Sequence, residues 1–228
     1  MANSDLTEQV LFHIGPVGIT GTVTTTWGVM LALMAAAWLT TRGLTAAPKR
    51  LQTAAEGIVS AISEAIRAVA PEHVTQLLPF IGSLWVFLVV ANLVGLIPGL
   101  ASPTHDLSAT AALAILVFLS VHWYGIRSQG LRRYLRHYLT PTPFLLPFHV
   151  ISEITRTVAL AVRLFGNIMS LEMAALLILL VAGFLAPIPI LMLHIIEALV
   201  QAYIFGMLAL IYVAGGLQTQ QLRQQREE

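Results

Sequence analysis

The sequence predicts an all-α integral membrane protein: five membrane helices, one amphipathic interfacial helix, and a last pair of spans forming a long tilted hairpin. Three observations carry this. Of 228 residues, 57% are hydrophobic and 10% are charged, where a soluble domain carries about 25% charged residues. Mean hydropathy is +0.82, and the apolar runs have the length of helices rather than of the short alternating segments of a barrel. Finally, an arginine, Arg163, stands inside the apolar run 158–185. An Arg at mid-membrane costs roughly 2.5–3.5 kcal/mol on insertion scales and cannot shed its charge. Snorkelling to a head group needs a nearby helix end; Arg156 has one, but Arg163 lies about 10 Å further in at 1.5 Å per residue. Arg163 is therefore a functional candidate.

Composition excludes several classes. The chain has no Cys, so it has no disulfides, thiolate metal sites or Cys nucleophiles. A net charge of +1 gives no case for nucleic-acid binding. Asp5 and Glu8, with no early Lys or Arg, do not make the basic n-region of a signal peptide. No repeat, low-complexity stretch or second domain interrupts residues 1–228.

Residues 1–17 read as a polar lead-in. Residues 18–41 form a first span, weak by hydropathy because of Thr24, Thr25 and Thr26, and ending at Arg42, Lys49 and Arg50. In residues 48–70, Leu51, Ala55, Ile58, Ile62, Ile66 and Val69 recur every three or four positions, while Lys49, Glu56, Ser60, Ser63, Glu64 and Arg67 fill the other side. That is an amphipathic helix too charged to span, lying on the membrane surface or packed against a neighbour. Residues 79–98 form the second span, with Pro79 in its first turn, Asn92 as its strongly polar side chain and Pro98-Gly99 as its stop. A loop with His105 and Asp106 leads to the third span, 107–127. The basic segment Arg127, Arg132, Arg133 and Arg136 and an irregular connection with Pro141, Pro143 and Pro147 follow. The last spans, 148–185 and 188–216, are separated only by Ala186-Pro187, which forces an antiparallel hairpin. The tail from Gln218 is polar.

All of the twelve Lys and Arg residues except Arg156 and Arg163 follow the first span, follow the third, or lie in the tail. The positive-inside rule then predicts a multi-pass protein with its N-terminus outside and its C-terminus cytoplasmic; the cell (plasma or inner) membrane is the expected location. Residues 148–185 would extend about 57 Å, against a hydrocarbon core of about 30 Å. The hairpin must tilt, bend or run along the interface.

The hairpin also collects the intramembrane ionisable groups: Glu153, Arg156, Arg163, Glu172, His194 and Glu197. His194, Glu197 and Gln201 fall at i, i+3 and i+7 and share a face. Glu172 and Gln201 stand at nearly equal chain distances from Ala186-Pro187, which predicts a similar depth and one outer cluster of Glu172, His194, Glu197 and Gln201. Glu153 lies towards the inner end, beyond Arg163. This reads as two aqueous half-pathways with a fixed positive charge between them. Like charges 4 Å apart at an effective dielectric of 20 repel by about 4 kcal/mol, so a cation does not pass the guanidinium directly. The bland alternative is hydrogen-bonded packing glue, for which carboxylates are expensive. A His-Glu pair without further ligands is a weak metal signal, and no run has the Walker pattern; no cofactor and no ATP chemistry are expected in this chain.

At these residues the chain resembles the a subunit of F-type ATP synthases. The resemblance is carried by Ala161-Val162-Arg163-Leu164-Phe165-Gly166-Asn167 with Glu172, by His194 with Gln201-Ala202-Tyr203-Ile204-Phe205, and by Asn92-Leu93-Val94-Gly95-Leu96-Ile97-Pro98. It covers about residues 75–215. Glu197 beside His194 and the run Met169–Met173 depart from the commoner version. The resemblance implies a stator beside a rotating ring of c subunits, each with a membrane carboxylate, and two tilted helices that wrap the ring. It implies that Arg163 holds the ionised ring carboxylate, with Asn167, Glu172, His194, Glu197, Gln201 and Glu153 in the ion path. The partners it implies are the c-ring, b-type peripheral-stalk subunits, other ATP synthase subunits and membrane lipid. A self-contained ion-coupled transporter is the rival, but such proteins show internal repeats and broken helices, and five dissimilar spans offer neither. For the ion, an imidazole that exchanges protons near neutral pH favours protons; sodium in the same stator role is the alternative.

Overall fold

A computed structural model describes residues 10–14, 17–42, 50–97, 102–130, 146–182 and 188–227. Two short strands, β1 (Val10–Ile14) and β2 (Val17–Thr20), pair antiparallel with Ile14 opposite Val17. The lead-in read from sequence as merely polar thus contains a small hairpin. All other elements are helical: α1 (Gly21–Arg42), α2 (Arg50–Val69), α3 (Val74–Val94), α4 (Leu107–Gln129), α5 (Leu146–Ala182) and α6 (Ile188–Glu227). Among the described residues, five helices are long and apolar enough to cross a membrane, and α2 is not one of them. The all-α membrane architecture is the one the sequence predicts.

The threonines of α1 fold inwards on its own backbone. Thr25 Oγ1 donates to the Gly21 carbonyl at 2.6 Å and Thr26 Oγ1 to the Thr22 carbonyl at 2.7 Å. Hydroxyls satisfied within the helix no longer ask for water, which is why a run that lowers hydropathy still suits a span. Trp27, Leu31, Met34 and Leu39 are exposed, and Arg42 ends the helix with its guanidinium 3.6 Å over the Trp38 ring, a cation–π contact suited to a membrane boundary. In α2 the apolar stripe does its work at one end: Ile66 is fully buried, with Ile62, Ala65 and Val69 packed beside it on the core. Glu56, Glu64 and Arg67 stay exposed.

The second span begins earlier than the sequence suggests. Pro71 opens a 3-10 turn that runs into α3 at Val74, so Pro79 lies inside the helix rather than in its first turn. Pro71 supplies the preset φ of a helix start; at Pro79 the cost is one lost backbone bond near the helix end, where fewer bonds are at stake than in mid-helix. The connection 183–187, the basic residues Arg132, Arg133 and Arg136, and the irregular segment up to residue 145 fall outside the described residues. At the other end α6 does not stop at 216 but continues to Glu227.

The core lies where α3, α4 and α6 meet, with α5 laid across one side. Leu77, Ile81, Leu84, Trp85 and Leu88 of α3 face Ala202, Phe205, Ala209, Leu210 and Val213 of α6. Small residues at Ala202, Gly206 and Ala209 let α6 come close. A Cβ built on Gly206 would stand 2.7 Å from Nε1 and 2.8 Å from Cδ1 of Trp85, whose ring is buried and stacks on Tyr203 at 5.7 Å. Overpacking of this kind costs about 1–3 kcal/mol. Gly206→Ala is therefore expected to lower the amount of stably inserted protein and its thermal stability in detergent, and Trp85→Phe in the same chain to recover part of the loss. Unchanged stability of Gly206→Ala alone would show that the indole can move aside freely.

Candidate functional site: a charged residue on an uncovered helix

Helix α5 turns a narrow stripe to the protein: Leu160, Ala161, Leu164 and Ile168 are buried. Of its span only 11% is buried, against 50% for α6. Arg163 falls off the stripe and is exposed, together with Ala159, Val162 and Ser170. Its backbone is held while its side chain is not: Gln201 Nε2 donates to the Arg163 carbonyl at 3.1 Å. Gln201 is 2% exposed, so α6 braces α5 from behind at the level of the guanidinium.

That bond sets the register of the hairpin and corrects one expectation. Gln201 lies level with Arg163, not with Glu172. From this level Glu172 is nine residues along α5, about 13 Å, and His194 seven residues back along α6, about 10 Å. Equal counting from the turn fails because the helices cross with unequal arms. Glu172 and His194 are therefore the pair at similar depth, and Gln201 stands deeper with the arginine.

Glu172 is half-buried, and its Oε2 lies 3.2 Å from Nε2 of His105 in the loop between α3 and α4. Gly95 lets Ser102 come close, since a Cβ there would stand 2.9 Å from the Ser102 Cβ; the same Cβ would be in ordinary contact with Glu172, at 3.5 Å from Oε1. Beneath the loop runs a buried polar chain. Ser102 Oγ donates to the Ala91 carbonyl at 2.9 Å. Thr104 Oγ1 donates to Asn92 Oδ1 at 2.8 Å, and Asn92 Nδ2 donates to the Ala198 carbonyl at 3.1 Å. The loop is thus tied through α3 to the turn of α6 that carries Glu197 and Gln201. Among the described residues, the buried His194 Nε2 has no hydrogen-bond partner, and neither has the buried Gln201 Oε1. Two orphaned polar atoms on one helix face are what ordered water would satisfy. Glu197 and Asn167 are half-buried.

Towards the other end of α5, Glu153 is half-buried ten residues before Arg163, about 15 Å away along the helix. Its carbonyl accepts from Thr157 Oγ1 at 2.9 Å. Arg156 is exposed, its guanidinium 4.6 Å from the Tyr212 ring centroid. Sequence reasoning passed over His105, Thr104 and Ser102. The available signal was polar side chains set between two apolar runs; pairing with Glu172 across the fold left no trace in spacing.

A family model described as ATP synthase A chain matches residues 23–214. The chain belongs to this ATP synthase a-subunit family. It is 62% identical over 222 residues to ATP synthase subunit a 2 of Pelobacter propionicus, covering 97% of each chain. To ATP synthase subunit a of Legionella pneumophila it is 60% identical over 228 residues, covering 100% of this chain and 99% of the other. ATP synthase subunit a 1 of Hahella chejuensis is 64% identical over 216 residues, with 95% and 92% covered. As an ATP synthase a subunit the chain is a multi-pass membrane component of that complex, with the stator role in ion-coupled rotation. The exposed Arg163 and the buried polar chain behind it thereby acquire a context.

Proposed function

We propose that this a subunit supplies two ion half-pathways to its ATP synthase and that Arg163 is the charge that separates them. The observation that carries the reading is Arg163 itself: an unshieldable cation exposed on the least covered helix of the four that pack together. A protein-facing partner with an anionic group in the bilayer accounts for its position, and a ring of c subunits with a carboxylate on each helix is such a partner. Ser170 and Gly166 flank the arginine with small side chains, and a Cβ on Gly166 would meet nothing within 4 Å, so a second helix can approach closely. The outer pathway comprises Glu172, His194, Glu197 and Gln201, and Glu153 belongs to the inner one, with Asn167 beside the arginine. Protons are the ion, passed among imidazole, carboxylates and the water that His194 Nε2 and Gln201 Oε1 call for. The N-terminus is outside, the C-terminus is cytoplasmic, and b-type stalk subunits hold the chain against the ring.

Single-cysteine variants test the arrangement in membranes containing the whole complex. Ser170→Cys is expected to cross-link to a c subunit through a short bifunctional maleimide. Asp106→Cys is expected to react with an impermeant reagent from outside only, and Glu56→Cys from inside only. A Ser170→Cys chain that links to lipid-facing controls but never to the ring removes the docking face, and labelling of positions 106 and 56 from the same side removes the orientation.

A further inference from the structure

We infer that His105, in the loop between α3 and α4, is the relay residue at the mouth of the outer pathway and delivers protons to Glu172. The inference rests on the proton reading above and adds a residue from outside the hairpin. Its first support is contact: His105 Nε2 and Glu172 Oε2 are 3.2 Å apart, within reach of direct transfer. A second is exposure along the route. The side chains of His105 and Glu172 are 40% and 25% exposed, while His194 and Gln201 are 3% and 2% exposed. The loop histidine and Glu172 are thus the more accessible pair, and His194 and Gln201 lie deeper in the protein, the order expected of a path that enters from water at the loop.

The loop is also built to hold His105 in place. Ser102 caps the 3-10 turn Pro103–His105, its Oγ accepting from the Thr104 amide, the Ser102 and Thr104 hydroxyl oxygens stand 2.8 Å apart, and Thr104 reaches Asn92 in the core. The neighbouring carboxylate is committed elsewhere: Asp106 caps α4, its Oδ1 accepting from the Ser108 amide and its Oδ2 from the Ser108 hydroxyl, both at 2.8 Å. Glu172 is thus the acid that His105 serves. In the transfer, the Nε2–H bond of imidazolium breaks and an O–H bond forms on Glu172. The neutral imidazole then takes a proton from water at the surface, and Glu172 gives its own proton inward to water beside His194. No redox partner is needed.

The test is ATP-driven pumping by the complete complex in liposomes, with proton and sodium uptake followed separately. His105→Gln keeps a hydrogen-bond donor towards Glu172 but cannot shuttle; His105→Ala leaves space for a soluble imidazole. Both are expected to pump protons about a hundredfold slower than wild type, the low end of what a positioned proton-transfer group contributes. Added imidazole is expected to restore the Ala variant and not the Gln variant. Rescue requires an assembled complex, so a slow Ala variant that imidazole leaves slow counts against the relay. Wild-type proton pumping with His105→Gln at full rate overturns the role of His105 while leaving the proton reading intact. A wild-type complex that pumps sodium and no protons overturns the proton reading, and the relay with it.

Discussion

Replacing Arg163 by Ala is expected to abolish ion-driven ATP synthesis while leaving an assembled complex that leaks ions passively. The structure makes this substitution unusually clean. The Arg163 side chain is exposed and packs no core, and Gln201 bonds its carbonyl rather than its guanidinium, so Ala keeps the brace and removes only the charge. An attraction of about 4 kcal/mol between unit charges 4 Å apart at an effective dielectric of 20 corresponds to about a thousandfold in an equilibrium constant. In the proposed mechanism, losing it frees a ring carboxylate to pass the barrier in either protonation state, which uncouples flow from rotation. Lys is expected to restore little, because a compact ammonium lacks the planar fork and gives up its proton when desolvated. Ion-driven synthesis and passive conduction, measured on complexes with equal ATP hydrolysis capacity, decide the matter. Normal coupled synthesis with Ala at 163 would remove the arginine from the mechanism.

The parts legible in the sequence were those written locally. Runs of apolar residues gave the spans, the period of Ile58, Ile62, Ile66 and Val69 gave the amphipathic α2, and the Arg amid Leu and Val is exposed on the sparsely covered α5. What depended on how helices meet was not legible. Counting from Ala186-Pro187 put Gln201 opposite Glu172, because equal arms are the only assumption a chain count permits. The observed register follows from side-chain fit: the close approach at Gly206 and Trp85 and the bond from Asn92 to Ala198 fix α6 along α3, and Gln201 then falls beside Arg163. The partner of Glu172 was hidden for the same reason, since His105 lies in a different loop. Pro79 misled locally: a proline near a helix start suits the first turn, but Pro71 had already taken that position.

Excess length in the hairpin has a physical consequence that the fold makes concrete. The loop carrying His105 meets α5 at Glu172, yet α5 continues for ten more residues to Ala182, about 15 Å further along its axis. Leu176, Leu177, Leu180 and Val181 in that stretch are exposed, Leu180 and Val181 at 83% and 85%. Upright, such a helix would carry these side chains past the loop into water. A steep tilt keeps them in the hydrocarbon or against a partner.

Within that hairpin, silver ion is expected to reach cysteines placed at 172, 194, 197 and 201 and not one placed at Ala161, which is buried against the core. Water is the reason. His194 Nε2 and Gln201 Oε1 are enclosed without partners among the described residues, and a buried polar atom left unsatisfied costs about 1–3 kcal/mol. Hydration removes that cost and opens a route for a small soft cation. The same logic sets the effect of removing a polar group. His194→Leu replaces a polar atom that calls for water with a side chain that expels it, and coupled proton flow is expected to fall by about 10²-fold or more, in the range of a lost proton-transfer group. His194→Gln, which keeps hydrogen-bonding capacity, is expected to retain more flow than Leu. ATP-driven proton uptake in liposomes, set against silver sensitivity of the cysteine variants, measures both. Silver-inert cysteines at all four positions, with His194→Leu at wild-type flow, would reduce the cluster to hydrogen bonds that merely hold the helices together.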